Sequence, residues 1–190
     1  MLNAFLVSFG VIFVAELGDK SQLMALAFAT RHKTAPVLIA ITLATGFVHL
    51  VSVGIGAVMG AALPTRPINA IGAVAFLGFG FWTLRGDELT ADDEERAKRA
   101  TRHVIVSVAT VFFLAELGDK TMLATITLAT REGVVGTWLG STFGMVAADA
   151  LAIVVGRALG ARLPERTIKI AAAISFFAFA ILLGVEAIAG

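Results

Sequence analysis

Long apolar runs, each cut off by a short polar or turn-forming cluster, dominate the pattern along the chain. Six are visible, over about residues 3–29, 35–62, 67–84, 103–130, 134–159 and 167–189. All exceed the ~17 residues a helix needs to cross a hydrocarbon core about 30 Å thick. Arg31, His32 and Lys33 divide the first run from the second, and Pro64, Thr65, Arg66 and Pro67 the second from the third. Arg131, Glu132 and Gly133 follow the fourth, and Leu163, Pro164, Glu165 and Arg166 the fifth, all of them turn or charge signals. A strand barrel would instead alternate over roughly ten-residue segments. The pattern therefore predicts an all-α membrane protein with six transmembrane helices. No basic residue precedes the first run, and that run continues past Glu16, so it reads as a span and not as a cleavable signal.

Composition agrees. Of the 190 residues, 58% are hydrophobic and 15% charged, and mean hydropathy is +0.90. That is too little charge for disorder or a coiled coil and too little polar chain to cover a large soluble domain. With no cysteine, there is no disulfide framework, thiol nucleophile or thiolate metal site. A net charge of +1 gives no sign of a nucleic-acid partner.

The positions of the charges say more than their sum. The one strongly polar stretch, Arg85 to His103, places an acidic run before a basic one, the order that suits a short linker helix. Residues 1–84 thus form a first three-helix unit, 85–103 a charged linker and 104–190 a second three-helix unit. Eleven Lys and Arg residues fall in the loops on the linker's side, Arg66 and Arg131 on the other, and Lys20 and Lys120 inside spans. By the positive-inside rule the linker is cytoplasmic and both termini lie outside.

The halves are copies. A shift of one hundred residues lays Ala15-Glu16-Leu17-Gly18-Asp19-Lys20-Ser21 on Ala115-Glu116-Leu117-Gly118-Asp119-Lys120-Thr121 without a gap. Gly56, Gly60, Ala61, Leu63 and Pro64 fall on Gly156, Gly160, Ala161, Leu163 and Pro164, and Phe76 and Phe79 on Phe176 and Phe179. Three spans per copy is an odd number, so the second copy enters the bilayer from the opposite side. Two inverted three-helix repeats are an architecture in which secondary transporters build a site at the repeat interface.

The duplicated block supplies the candidate chemistry. Glu16 and Glu116 lie about thirteen residues into their spans, ~20 Å deep at 1.5 Å per residue. An ionisable group there costs at least ~2.5–3.5 kcal/mol, tolerable where it meets a counter-charge, water or an ion. Glu16 and Asp19 are i,i+3 and so share a face, as do Glu116 and Asp119. Four carboxylates would then surround one cavity, with Ser21, Thr121 and Gln22 adding oxygen ligands. Gly18 and Gly118 would allow close approach or local unwinding. Hard oxygen donors without sulfur suit Mg, Ca or Mn. The plainer alternative pairs Glu16 with Lys20 and Glu116 with Lys120 at i,i+4 within each helix, which leaves both aspartates unexplained. Thr42, Thr45 and His49 form a second polar stripe, matched by Thr142, Met145 and Asp149. Asp149 and His49 are candidates for ion or proton handling. Met145 and the Gly56/Gly60 and Gly156/Gly160 pairs read as packing, and Glu186 as an interfacial residue.

The twin Glu-Leu-Gly-Asp-Lys-Ser/Thr blocks at 16–21 and 116–121 resemble the mark of the Golgi-type calcium/manganese cation–proton antiporters, whose bacterial members include manganese exporters of the MneA type. The resemblance spans the whole chain. It implies export of a divalent cation, manganese first and calcium second, against protons across the plasma (inner) membrane, with no resident cofactor. By resemblance Glu16, Asp19, Glu116 and Asp119 are the cation site, shaped by Lys20 and Lys120. A rival reading, an intramembrane carboxylate-metal enzyme, lacks an HExxH motif and a Ser with a nearby base. A membrane assembly factor is the third reading.

Overall fold

The computed structural model describes residues 1–85, 104–159 and 165–189. Most of the charged linker and the loop ahead of Glu165 lie outside them. The described residues form eight helices and no strand: α1 Leu2–Glu16, α2 Lys20–Arg31, α3 Thr34–Ala62, α4 Thr65–Arg85, α5 Val104–Glu116, α6 Lys120–Glu132, α7 Val134–Leu159 and α8 Glu165–Ala189. Four of them, α3, α4, α7 and α8, are long and apolar enough to cross a membrane. The protein is a multi-pass membrane protein.

The first and fourth apolar runs are not the continuous helices the hydropathy pattern predicts. The first breaks between Glu16 and Lys20, where α1 and α2 meet at 76°; only taken together are the two long and apolar enough to count as a fifth span. The fourth breaks at the equivalent place, leaving α5 with 13 residues, about 20 Å at 1.5 Å per residue and short of a full crossing. Both breaks have one cause. Gly18 and Gly118 stand at φ 76° and 79°, left-handed backbone that ends a right-handed helix and that glycine adopts without Cβ strain. Asp19 and Asp119 then sit at extended N-cap positions of α2 and α6. The i,i+3 geometry expected for Glu16 with Asp19, and for Glu116 with Asp119, therefore does not exist: each glutamate ends one helix and each aspartate starts the next.

Packing crosses between the halves. α1 lies along α7 and α5 along α3, while α3 packs on α6 and α7 on α2. α4 and α8 lie side by side, with Phe76, Phe79, Phe176 and Phe179 interlocked at ring-centre distances of 5.5–5.8 Å. One apolar cluster joins α2, α3, α5 and Ile153 of α7, and the other joins α1, α4, α6, α8 and Met145 of α7. Met145 sits in an apolar cluster, in keeping with the packing role expected of a lone methionine on a helix.

Glycine sets the closest approaches. Gly56 and Gly60 of α3 face the Ile126 and Thr130 carbonyls of α6, as expected for small-residue packing. A longer ladder missed in the sequence pattern, Gly136, Gly140 and Gly144 of α7, lets the α1 backbone come to the glycine Cα atoms. A Cβ at Gly140 would strike the Phe5 carbonyl oxygen and sit 3.0 Å from Phe9 N. Backbone yields less than a side-chain tip, so Gly140→Ala is expected to destabilise by at least ~2 kcal/mol, lowering the melting temperature in detergent by roughly 4–8 °C. Gly10→Ala, with nothing within 4 Å of its Cβ, should leave it unchanged or slightly raised. Equal melting of the two variants would refute the account.

Candidate cation site

The two breaks place a helix C-terminus, a left-handed glycine and a helix N-terminus in sequence twice over. Such interrupted helices present backbone dipoles and carbonyls to an ion inside the bilayer. Glu16, Asp19, Glu116 and Asp119 are all buried. Each glutamate is tethered by the hydroxyl of its own block: Ser21 donates to Glu16 Oε1, and Thr121 donates to Glu116 Oε2 at 3.3 Å. Each break is also pinned by the residue after that hydroxyl. Gly18 N–H donates to Gln22 Oε1 at 2.7 Å, and Gly118 N–H to the Met122 sulfur at 3.2 Å. Gln22 spends its amide nitrogen on the Ala148 carbonyl of α7 at 2.8 Å. It is a bracket between α2 and α7, where the sequence reading made it an oxygen ligand.

The lysines reach across to the aspartates of the other block. Lys120 forms an ion pair with Asp19, and Lys20 Nζ lies 3.9 Å from Asp119 Oδ1. Glu16 ends α1 while Lys20 begins a helix turned 76° away, so the two do not share one helix face as the local alternative expects. Pairing across the repeats accounts for both aspartates, which the local alternative could not. The exchange is unequal. Lys120's side chain is 3% exposed and Lys20's 22%, so one pair is closed and the other reaches toward solvent or lipid.

Glu16 lies within electrostatic range of Glu116, Asp19 and Asp149. Glu16 Oε2, Glu116 Oε1 and both oxygens of Asp149 are buried without a hydrogen-bond partner. Unmet carboxylate oxygens at such depth are costly unless a cation or proton serves them. Still, no three His, Asp or Glu side chains converge into a ready metal cage among the described residues. The four proposed carboxylates are neighbours with lysines among them, not a preformed chelate. His49, fully buried, lies 3.5 Å from the Thr142 hydroxyl, and Trp138 donates to the Gly46 carbonyl at 2.8 Å. Both contacts bind α3 to α7. Thr42 caps back onto the Leu38 carbonyl, a local bond.

Comparison with known proteins identifies the family. A family model described as divalent cation/proton antiporter GDT1 matches residues 4–91 and 104–190. A Vibrio cholerae protein named as a manganese exporter is 32% identical over 172 residues, covering 89% of this chain and 84% of its own. The GDT1-like protein sll0615 of Synechocystis is 30% identical over 200 residues, covering 96% and 97%. The chloroplastic protein PAM71 of Arabidopsis thaliana is 32% identical over 205 residues, covering 94% of this chain and 55% of its own. No solved structure matches the chain. The family consists of transporters, not enzymes, and the chain belongs to it: it is a member of the divalent cation/proton antiporter family GDT1.

Proposed function

We propose that the chain exports manganese(II), with calcium as the second candidate, in exchange for protons across the plasma membrane. It does so by alternating access at a site built from Glu16, Asp19, Glu116 and Asp119. The observation that carries the reading is the crossed pairing of Lys120 with Asp19 and Lys20 with Asp119, which joins the two blocks into one buried centre. Four carboxylates and two ammonium groups sum to −2 when all are ionised, the charge one divalent cation balances. Cation entry competes with the lysines for the aspartates, and protons replace the cation on its departure. In this reading α1–α2 and α5–α6 are equivalent broken spans of two inverted three-helix repeats, with a cytoplasmic linker and both termini outside.

Purified protein in liposomes should move manganese faster when protons can flow the opposite way. Flux indifferent to the pH gradient would refute exchange for protons. Asp149 has no acidic counterpart in the first half, where His49 stands, and we assign it to ion or proton handling. Asp149→Asn is expected to lower pH-driven manganese flux about tenfold or more while manganese–manganese exchange persists. Loss of both activities would make Asp149 a cation ligand, and loss of neither would remove it from the mechanism.

A further inference from the structure

This inference rests on the transport reading and concerns the route to its site. At the end of the bundle where α6 and α8 finish and α4 begins, Arg131 pairs with Glu186. Asn69 Nδ2 donates to the same Glu186 oxygen at 3.4 Å. One carboxylate oxygen thus ties together three helices. Arg131 and Glu186 themselves form part of the wall of a cavity of about 120 Å³, with Phe76, Leu128, Phe179 and Leu183 among its other lining residues. One face of α6 runs from the cation centre to the cavity wall. Thr121, Thr125 and Leu128 are spaced i, i+4 and i+7 along one face of α6. Thr121 bonds Glu116, Thr125 is fully buried with its hydroxyl oxygen unpartnered, and Leu128 enters the cavity wall.

The arrangement is one-sided. Shifted by one hundred residues, Arg131, Asn69 and Glu186 become Arg31, Lys169 and Gly86. The other half therefore has two cations and no acid where this cluster has its carboxylate. The helices lean accordingly: α8 packs on α1 and α4 on α6, while neither packs closely on α2 or α5. The interlocked phenylalanines hold α4 and α8 against each other as one packed pair. We propose that Arg131, Glu186 and Asn69 are a latch holding the α4–α8 pair over the cavity. The latch seals this end of the ion path, and its release is what opens the path there.

The absence of cysteine permits a clean test. Thr125→Cys supplies one buried thiol on that face of α6, and Val134→Cys, at an exposed site, reports which membrane face carries this end. Both are labelled with a membrane-impermeant thiol reagent in intact cells and in inside-out vesicles. Adding Glu186→Gln to Thr125→Cys should raise its labelling about fivefold from the Val134 face and lower it from the other, the population change expected on losing one favourable exposed pair. The exchanged pair Arg131→Glu with Glu186→Arg should restore the original labelling. Labelling unchanged by Glu186→Gln, raised equally from both faces, or not restored by the exchange overturns the latch. Manganese flux of the parent protein separates the two readings: flux with inert labelling refutes the latch alone, and responsive labelling without flux refutes the transport reading alone.

Discussion

Replacing Glu16 and Glu116 together by Gln should reduce pH-driven manganese flux about a hundredfold or more while the protein still folds. The change is nearly isosteric. An amide oxygen can still accept from the Ser21 and Thr121 hydroxyls that hold the two carboxylates, so the tethers survive. What disappears is the negative charge and two hard oxygen donors, Glu16 Oε2 and Glu116 Oε1, that have no other hydrogen-bond partner. Affinity for hard divalent cations follows the number of charged oxygen ligands, and even the loss of a supporting group costs roughly 10–100-fold. Either single substitution should therefore lose about tenfold or more, and the pair more than either. A melting temperature within a few degrees of the parent would show that the fold persists, since removing buried uncompensated charge relieves a desolvation cost. Undiminished flux in the double variant would remove both glutamates from the site.

Much of this centre was legible in the chain because its signals are local. A charged block repeated in register at Glu16 and Glu116, inside runs that should hold no charge, marks a candidate site without any structure. The helix breaks were not legible in the same way. Hydropathy averaged over a window passes smoothly across Leu17 and Gly18, and glycine inside an apolar helix is common in membranes. Only the backbone shows Gly18 and Gly118 in left-handed conformation, and that single torsion undoes every i,i+3 and i,i+4 argument spanning it. Pairing was hidden for a related reason. Lys20 has a plausible local partner four residues back, whereas its actual neighbour, Asp119, is distant in sequence. Gln22 and Met122 differ chemically, yet both accept from the glycine N–H of their own break. Sequence comparison of the halves scores them as a mismatch, while the geometry makes them equivalents. Glu186 was read as interfacial, and its tie to Arg131, 55 residues earlier, needs the fold to bring α6 beside α8.

The crossed ion pairs give the second large effect. Lys120→Met should lower stability by about 3–5 kcal/mol, because it removes one partner of an ion pair in which Asp19 is buried. At roughly 2–4 °C per kcal/mol for a chain of this length, melting in detergent should fall by about 6 °C or more. Adding Asp19→Asn to Lys120→Met should recover part of the loss, since the carboxylate that lost its lysine is then gone. The two substitutions should be non-additive by about 1–3 kcal/mol, the range for groups in direct contact. Lys20→Met with Asp119→Asn makes the internal comparison. Its partners stand 3.9 Å apart with Lys20 partly exposed, so its coupling should be smaller, nearer the ~0–1 kcal/mol of exposed pairs. A helix-local pairing predicts the opposite pattern, with Lys120→Met coupled to Glu116→Gln and independent of Asp19. Strong coupling there, and none to Asp19→Asn, would refute the exchange of lysines between the halves. It would also remove the contact that makes one centre out of two blocks.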